Sequence, residues 1–333
     1  MKKLRKADLG ALLSLAILLF TLSGSAFNQE PQRPATQDFS VERFLRASDG
    51  EFRGLDREGD REWKDPFFFI QISDTQYGLF TRDKGFEKEV ELVAKAVEHI
   101  NRLKPRFVIV CGDLVNANPG TPRYEPQVAA FKEGLAGVSP TIPLICLCGN
   151  HDVLDRPTGS SIEAYRENFG DDHFGFWVGG VRGLVLNSSL IKDPSGSPEA
   201  FAEQERWLVA QLEEANDLDA QHVFVFQHHP LFLKQPDEED EYFNIPRDRR
   251  MPVLEVLQDA GVRAVFAGHY HRNSYAKDGE LSMITTGAVG MPFGKDPSGL
   301  RIVKVYEETF EHEYYAMDEV PDAVSMEPAQ EKQ

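Results

Sequence analysis

Cysteine is scarce in this chain of 333 residues, which contains only Cys111, Cys146 and Cys148. An odd number of thiols cannot pair completely within one chain. No second Cys or His cluster with zinc-site spacing accompanies the pair at 146 and 148. Each thiol lies in or just after an apolar run, so we expect three buried thiols that pack as small hydrophobic side chains rather than a disulfide scaffold.

Positive charge is also in short supply. The chain has 36 Lys and Arg residues against 54 Asp and Glu residues, a formal net charge of −18. Binding to nucleic acid depends on Lys and Arg side chains that neutralise phosphates, so this balance argues against a nucleic-acid partner and against docking on anionic lipid. A phosphate-bearing substrate must then be attracted by a local positive site, and metal ions are the obvious source.

A hydrophobic run long enough to span a bilayer is missing at the N-terminus. The apolar stretch at residues 9–22 is shorter than the roughly 20 residues that a spanning helix needs. It follows the basic residues 2–6 and precedes Gly24, Ser25 and Ala26, which is the arrangement of a signal peptide cleaved after Ala26. We predict a signal peptide over residues 1–26 and an exported protein, periplasmic or extracellular. An uncleaved membrane anchor is the alternative.

The remaining chain divides into three predicted parts. Residues 27–62 are polar, contain Pro31 and Pro34, and are predicted to form a tether. Residues 63–318 are predicted to form the domain, since a hydrophobic content of 41% supports a sizeable core. Residues 319–333 are predicted to be a disordered tail.

The first half of the domain alternates short apolar runs with stretches of helical periodicity. The pattern predicts strands at 67–73, 107–110 and 143–147 and helices at 86–103 and 126–137. The order β-α-β-α-β is typical of a mostly parallel sheet covered by helices. The second half predicts a hairpin around Gly179 and Gly180, helices at 199–215 and 252–260, strands at 223–226, 262–266, 281–286, 300–306 and 311–315, and a solvated acidic loop at 237–241.

Five of the predicted strands deliver metal-ligand side chains at or just past their C-terminal ends. They are Asp74 with Gln76, Asp113, Asn150 with His151, His228 with His229, and His269 with His271. Ligands of parallel α/β sheets bind outside the carboxyl ends of the strands, so these five ends are expected to converge on one place. Carboxylate, amide oxygen and imidazole together suit Mn, Fe, Zn or Mg rather than a soft thiolate site.

In order along the chain, these residues stand in the motifs Asp74-Thr75-Gln76, Gly112-Asp113, Gly149-Asn150-His151-Asp152, His228-His229-Pro230 and Gly268-His269-Tyr270-His271. Each motif alone is a weak signal, but the ordered set resembles that of the calcineurin-like metallophosphoesterases over residues 67–318. The resemblance implies a four-layer αββα sandwich of two mixed sheets flanked by helices. It also implies an enzyme that hydrolyses phosphate esters.

A closer resemblance is to the calcineurin-like phosphoesterase domain-containing protein 1 group, which is assigned as serine/threonine phosphatases. It is carried by Gln76 and by the stretches FQHHPLFL at 226–233, GHYHRN at 268–273 and DPSGLR at 296–301. This implies a phosphomonoesterase or protein-phosphatase-like activity. The alternatives are a phosphodiesterase or nucleotidase with the same metal core, and a non-catalytic binding module that keeps the fold.

The resemblance also implies a role for each site residue. One divalent ion would be held by Asp74, Gln76, Asp113 and His271, and a second by Asp113, Asn150, His228 and His269. A hydroxide shared by the two ions would attack phosphorus, because bound dications lower the pKa of water toward neutrality. His151 would protonate the leaving group, Asp152 would orient the His151 imidazole, and Arg272 would clamp the substrate phosphate.

Gln76 generates a prediction about metal affinity, because most of the superfamily has His at this position. An amide oxygen is a harder and weaker donor than imidazole nitrogen, so we expect the first site to bind metal more loosely and to favour Mg or Mn over Zn. Calorimetric titration of the metal-free protein with Zn²⁺ should resolve two unequal affinities. Two equally tight zinc ions would contradict this prediction.

Overall fold

A computed structural model describes residues 42–55 and 60–327 of the chain. The strands within these ranges are β1 (Ala47–Ser48), β2 (Glu51–Phe52), β3 (Phe67–Ile72), β4 (Val108–Cys111), β5 (Leu144–Leu147), β6 (Phe174–Val178), β7 (Val181–Val185), β8 (His222–Phe226), β9 (Ala264–Ala267), β10 (Ser274–Asp278), β11 (Leu281–Thr285), β12 (Gly299–Val305) and β13 (Phe310–Ala316). The helices are α1 (Glu87–Leu103), α2 (Tyr124–Ala136), α3 (Asn150–Val153), α4 (Gly159–Phe169), α5 (Ser188–Lys192), α6 (Pro198–Asp217) and α7 (Arg247–Asp259), with a 3₁₀ turn at Pro194–Gly196.

The strands form two mixed sheets. One has the order β13-β12-β3-β4-β5, in which β3, β4 and β5 are parallel. The other has the order β1-β2-β6-β7-β8-β9-β11-β10, in which β7, β8, β9 and β11 are parallel. The predicted parallel core is therefore split between two sheets, and each sheet has its own set of carboxyl strand ends.

Apolar side chains fill three successive interfaces, which give the molecule its four layers. Between the sheets lies an aromatic core in which the rings of Phe69 and Phe107 stack with centroids 4.7 Å apart. Helix α1 covers the smaller sheet through residues such as Val93 and Ile100. Helices α6 and α7 cover the larger sheet through side chains that include Leu212. The predicted αββα sandwich is confirmed.

Helix α4 and strand β10 are among the elements that give no clear signal in the sequence, for physical reasons. Helix α4 contains weak helix formers (GSSIEAYRENF), and it is stabilised by the Thr158 cap on Ser161 N–H and by burial of Ile162, Tyr165 and Phe169. Strand β10 has the polar sequence SYAKD and lies at the sheet edge, where pairing with β11 replaces hydrophobic alternation. Helix α7 begins at Arg247, earlier than the predicted 252, and contains Pro252.

The predicted tether at 27–62 is wrong for residues 42–55, which are part of the domain. Strand β2 pairs in parallel with β6 through Glu51 and Gly175. The buried guanidinium of Arg43 donates hydrogen bonds to the carbonyls of Val138 and Ile142 at 2.5 and 2.7 Å. This polar segment is anchored by a few buried contacts that composition does not reveal.

The predictions for the two ends of the chain have different outcomes. Residues 1–41 and 56–59 lie outside the described residues, so the signal peptide at 1–26 stays a prediction. Within the predicted tail at 319–333, Val320 is buried and Arg102 contacts Pro321 O and Asp322 Oδ1 at 3.0 and 2.6 Å. The tail is therefore docked over its first residues. No helix in the described ranges is long and apolar enough to cross a membrane.

Replacing Phe44 by Ala tests whether the anchored segment contributes to the fold. The ring is 4% exposed and lies 6.2 Å from the ring of Phe131 and 6.3 Å from that of Phe169. We expect the free energy of unfolding in urea to fall by about 3–5 kcal/mol, because a buried aromatic side chain is removed and a cavity is left. Leu45→Ala, at a neighbour that is 40% exposed, should change it by less than about 0.5 kcal/mol. Equal stabilities of the two variants would mean that the segment is a tether after all.

Candidate metal centre

The loops that follow β3, β4 and β9 turn sharply at the predicted ligands. Five of these residues have left-handed backbone conformations: Asp74 (φ 50°), Gln76 (φ 38°), Asp113 (φ 48°), His269 (φ 65°) and His271 (φ 53°). Such a conformation costs a non-glycine residue on the order of 1–3 kcal/mol, and it persists only where the surroundings impose it. Its repetition at five predicted ligands shows that the backbone is bent at a cost to direct these side chains to one point.

The motif glycines are required because ligand side chains pass directly over them. A Cβ atom at Gly149 would lie 2.2 Å from Asp113 Oδ1. A Cβ atom at Gly268 would lie 1.8 Å from Ser73 Oγ and 2.7 Å from Asp74 Oδ2. Any side chain at these two positions would displace a carboxylate from the centre.

The predicted ligands converge in two overlapping groups of donor atoms. One group is Asp74, Asp113 and His271, and the other is Asp113, His228 and His269. The donor atoms within each group lie within 4.8 Å of one another. Asp113 belongs to both groups, as a bridging carboxylate would. All five side chains are buried.

Hydrogen bonds to backbone carbonyls fix the tautomer of each of the three imidazoles. His228 Nδ1 lies 2.9 Å from Cys111 O, and His271 Nδ1 lies 2.6 Å from Met291 O. His269 is reversed, with Nε2 lying 3.2 Å from Tyr242 O. A carbonyl oxygen only accepts, so the facing nitrogen carries a proton and the other nitrogen points into the donor group, where it is available to a metal ion when the ring is neutral. This is the arrangement in which imidazole binds a metal ion.

Two amide side chains lie beside these groups. Asn150 Oδ1 lies 3.2 Å from His228 Nε2, on the side of the second group. Gln76 Oε1 is buried and has no hydrogen-bond partner among the described residues, while Gln76 Nε2 donates to Asn116 Oδ1 at 3.3 Å. A buried acceptor without a partner is costly, and a divalent cation would satisfy it. The donor set therefore fits two ions.

The charge balance of the centre also requires cations. Asp74 and Asp113 are 0% and 2% exposed, and the basic side chains within 4 Å of them in the described residues are imidazoles. Burial alone would raise the pKa of the Asp113 carboxyl, but the His228 and His151 imidazoles hold that pKa well below its usual range. Buried carboxylates of this kind are normally paired with charge or bound to metal. The fold and the site thus define the class of binuclear metal-dependent hydrolases.

His151 lies beside the centre, and its surroundings correct the role predicted for Asp152. The His151 backbone N–H donates to Asp113 Oδ1 at 2.9 Å, and its Nδ1 lies 2.6 Å from Asn116 O. Asp152 instead accepts from the backbone N–H groups of Gly149 (2.8 Å) and Leu114 (3.1 Å). Burial and the nearby Asp113 carboxylate raise the pKa of Asp152 to about 7. Asp152 therefore joins two motif loops, and the Asn116 carbonyl orients the imidazole.

The acidic loop at 237–241 is largely exposed, as predicted, and it leads directly into Tyr242, which forms a wall of the metal centre. Tyr242 accepts from His269 through its carbonyl, and its ring lies 5.0 Å from the His269 ring. Lys192 Nζ donates to the same carbonyl at 2.6 Å. The loop is anchored by Arg250, which is fully buried and donates to Pro236 O at 2.7 Å. Only the aromatic pair after the acidic run hints at this role in the sequence.

Arg272 and His229 lie at the margin of the centre. The Arg272 guanidinium lies 4.8 Å from the centre of the Tyr270 ring and 5.9 Å from that of Phe243. The Nε atom of Arg272 is buried and has no hydrogen-bond partner in the part of the chain that the structure describes. His229 packs 4.2 Å from the His269 ring and contacts Ser188 Oγ through Nδ1 at 3.0 Å. The role of Arg272 as a phosphate clamp stays a prediction, and His229 supports a ligand.

Comparison with known proteins identifies the family. The sequence profile described as calcineurin-like phosphoesterase matches residues 69–273. A zebrafish (Danio rerio) protein named serine/threonine-protein phosphatase CPPED1 is 44% identical over 290 residues, which cover 84% of this chain and 94% of the relative. The human protein of the same name is 41% identical over 291 residues, 84% of this chain and 93% of the relative. The chain belongs to the calcineurin-like phosphoesterase family, whose members are metal-dependent hydrolases of phosphate esters.

Solved structures share the fold at low sequence identity. A dimetal phosphatase from Danio rerio has a TM-score of 0.55 at 17% identity, over 76% of this chain and 97% of that one. The purple acid phosphatase PPD1 from yellow lupin (Lupinus luteus) seeds has a TM-score of 0.57 at 14% identity, over 77% of this chain and 52% of that one. These likenesses support the architecture alone.

Replacing Asn116 by Ala tests how the Gln76 amide is oriented. Asn116 Oδ1 accepts from Gln76 Nε2, which leaves Gln76 Oε1 free for a cation. Without that acceptor the amide can rotate, so we expect Mn²⁺ affinity at the weaker site to fall about 10-fold or more, as it does when other groups that orient ligands are lost. Paramagnetic resonance of free Mn²⁺ measures this. The matched control is Asn118→Ala, at an exposed residue of the same loop, and equal affinities in the two variants would refute the orientation role.

Proposed function

We propose that this enzyme is a phosphomonoesterase of the protein-phosphatase type, which uses two divalent ions held in the two donor groups that share Asp113. The observation that carries the proposal is the buried pair of overlapping groups, with three imidazoles in the metal-binding tautomer and His151 beside them. The subclass is supported by the serine/threonine phosphatases to which the chain is 40–44% identical. The identities of the ions, among Mn, Fe, Zn and Mg, are left to measurement.

Bound at these donors, two dications would acidify a water molecule and neutralise charge on the phosphoryl group. Asp113 belongs to both donor groups and would be the ligand that the two ions share. Asp74 with Gln76, on one side, and Asn150 with His228, on the other, would complete the two coordination shells. The protein's contribution is to hold these donors rigidly, since each is tied to a neighbouring motif loop by a backbone hydrogen bond or close contact.

His151 is suited to protonate the leaving oxygen. Its Nδ1–H is held by Asn116 O, so Nε2 is the nitrogen from which the imidazolium form would deliver a proton. The side chain is partly exposed, unlike the buried ligands, so it can reach a substrate. Arg272, which follows His271, and Lys192, which donates to the Tyr242 carbonyl beside His269, supply positive charge near the centre, which an anionic protein needs for a phosphate ester.

We also propose that the protein acts outside the cytoplasm. The support is the sequence of residues 1–26, with a basic start, an apolar stretch and small residues before the cleavage point. Its substrates would then be phosphate esters that occur outside the cytoplasm. Mass determination of the mature N-terminus after secretion tests this, and an intact Met1 would favour a retained anchor.

Replacing His151 by Gln tests both the activity and the role of the imidazole. With Mn²⁺ present, we expect kcat on p-nitrophenyl phosphate to fall about 10²–10⁴-fold, because a general acid is lost. Two metal ions per chain should still bind, since His151 is not a ligand. The control His99→Gln lies on α1 away from the centre and should behave as the parent enzyme.

The same assay separates the competing functions. Faster turnover of bis(p-nitrophenyl) phosphate than of the monoester would indicate a phosphodiesterase. No turnover of either ester by the parent protein with two metals bound would indicate a non-catalytic binding module.

A further inference from the structure

A recess opens beside His151. This leaving-group cleft has a volume of about 470 Å³, and its lining includes Asp83, Asn116, Asn118, Thr121, Arg123 and His151. That volume is within the range of about 300–1,000 Å³ typical of small-molecule sites. Because His151 lines both the metal centre and the cleft, the alcohol part of a phosphate ester would extend into this space.

Hydrogen bonds fix the conformation of the loop that lines the cleft. The buried Gln127 accepts through Oε1 from the backbone N–H groups of Asn116 and Ala117 at 3.1 and 2.7 Å. Gln127 Nε2 and Asn116 Nδ2 both donate to Asp83 Oδ1, at 2.9 and 2.8 Å. Two turn hydrogen bonds to Asn118 O close the outer part of the loop. The lining is therefore held in place before any substrate arrives.

Asn116 connects this framework to the reaction centre. Its carbonyl holds His151 Nδ1, and its Oδ1 holds the amide of Gln76. The wall of the cleft and the proton donor are thus parts of one hydrogen-bonded unit. A group that binds in the cleft is held at a defined position relative to the leaving oxygen.

The charges of the lining indicate what the cleft binds. Arg123 is its one cation, is exposed, and forms no ion pair or side-chain hydrogen bond within the described part of the chain. Asp83 is the one carboxylate in the lining. Its Oδ1 accepts the hydrogen bonds from Gln127 and Asn116, so its Oδ2 is left to accept from an incoming N–H group. A ligand with a carboxylate for Arg123 and an amide N–H for Asp83 has the features of a peptide with an acidic side chain.

We propose that the leaving-group cleft binds the peptide around a phosphorylated residue and that Arg123 selects for an acidic side chain next to that residue. This inference rests on the proposed phosphomonoesterase function and names its substrate class. The net charge of −18 disfavours acidic substrates at long range, so the guanidinium must supply the preference locally.

The test compares phosphoserine peptides that differ only at the residues flanking the phosphoserine, which are Glu, Gln or Lys. The measured quantity is the ratio of kcat/KM for the Glu peptide to that for the Gln peptide, with Mn²⁺ present. For the parent enzyme we expect a ratio of about 3–10, the range of an ion pair that is only partly desolvated. Arg123→Gln should bring the ratio to about 1, and Arg123→Glu should invert the order in favour of the Lys peptide.

Arg206→Gln is the matched control, because it removes the same charge from an exposed position on α6. It should retain the parent ratio. A parent ratio near 1, or a ratio that Arg123→Gln leaves unchanged, would overturn the assignment of Arg123 while the phosphatase activity stands. If p-nitrophenyl phosphate is hydrolysed and none of the peptides is, the peptide substrate class fails. If neither is hydrolysed, the proposed function fails with it.

Discussion

The buried carboxylate of Asp113 is the constraint on which the rest of the structure depends. It lies between three imidazoles and a second carboxylate, belongs to both donor groups, and is almost completely removed from water. A charge in that position is tolerated only when opposite charge and hydrogen bonds surround it. The loops around it therefore have little freedom, and their left-handed backbone conformations are the visible cost.

The two sheets bring the ligands together around Asp113. Strands β3, β4 and β5 deliver Asp74, Asp113 and Asn150 from the smaller sheet, whereas β8 and β9 deliver histidines from the larger one. The sheets are joined at the site itself, where His269 N–H donates to the Asp74 carboxylate at 3.1 Å. Packing of the aromatic core between the sheets therefore sets the separation of the donor groups. A change in that packing would therefore alter the spacing of the donor groups.

The groups that tune the ligands come from the connecting loops. Tyr242 reverses the tautomer of His269, Asn116 orients both Gln76 and His151, and Asp152 joins the loops after β4 and β5. These contacts use backbone atoms or side chains far away in sequence. Because these supporting groups lie outside the ligands themselves, the loops around the site can differ while the metal ligands stay the same.

The sequence by itself determined the order of strands and helices and the residues that hold metal in the family's pattern. Apolar runs that end in Asp, Asn or His carry that information locally, and the motif glycines mark where backbones approach closely. The anchoring of residues 42–55, helix α4 and strand β10 had no such local signal, because each is stabilised by contacts rather than by composition. The division of the parallel strands between two sheets, the bonding of Asp152 and the position of Arg123 in a cleft were decided only by tertiary structure. The partner of a side chain depends on which loop the fold places next to it, and the spacing of residues along the chain does not specify that neighbour.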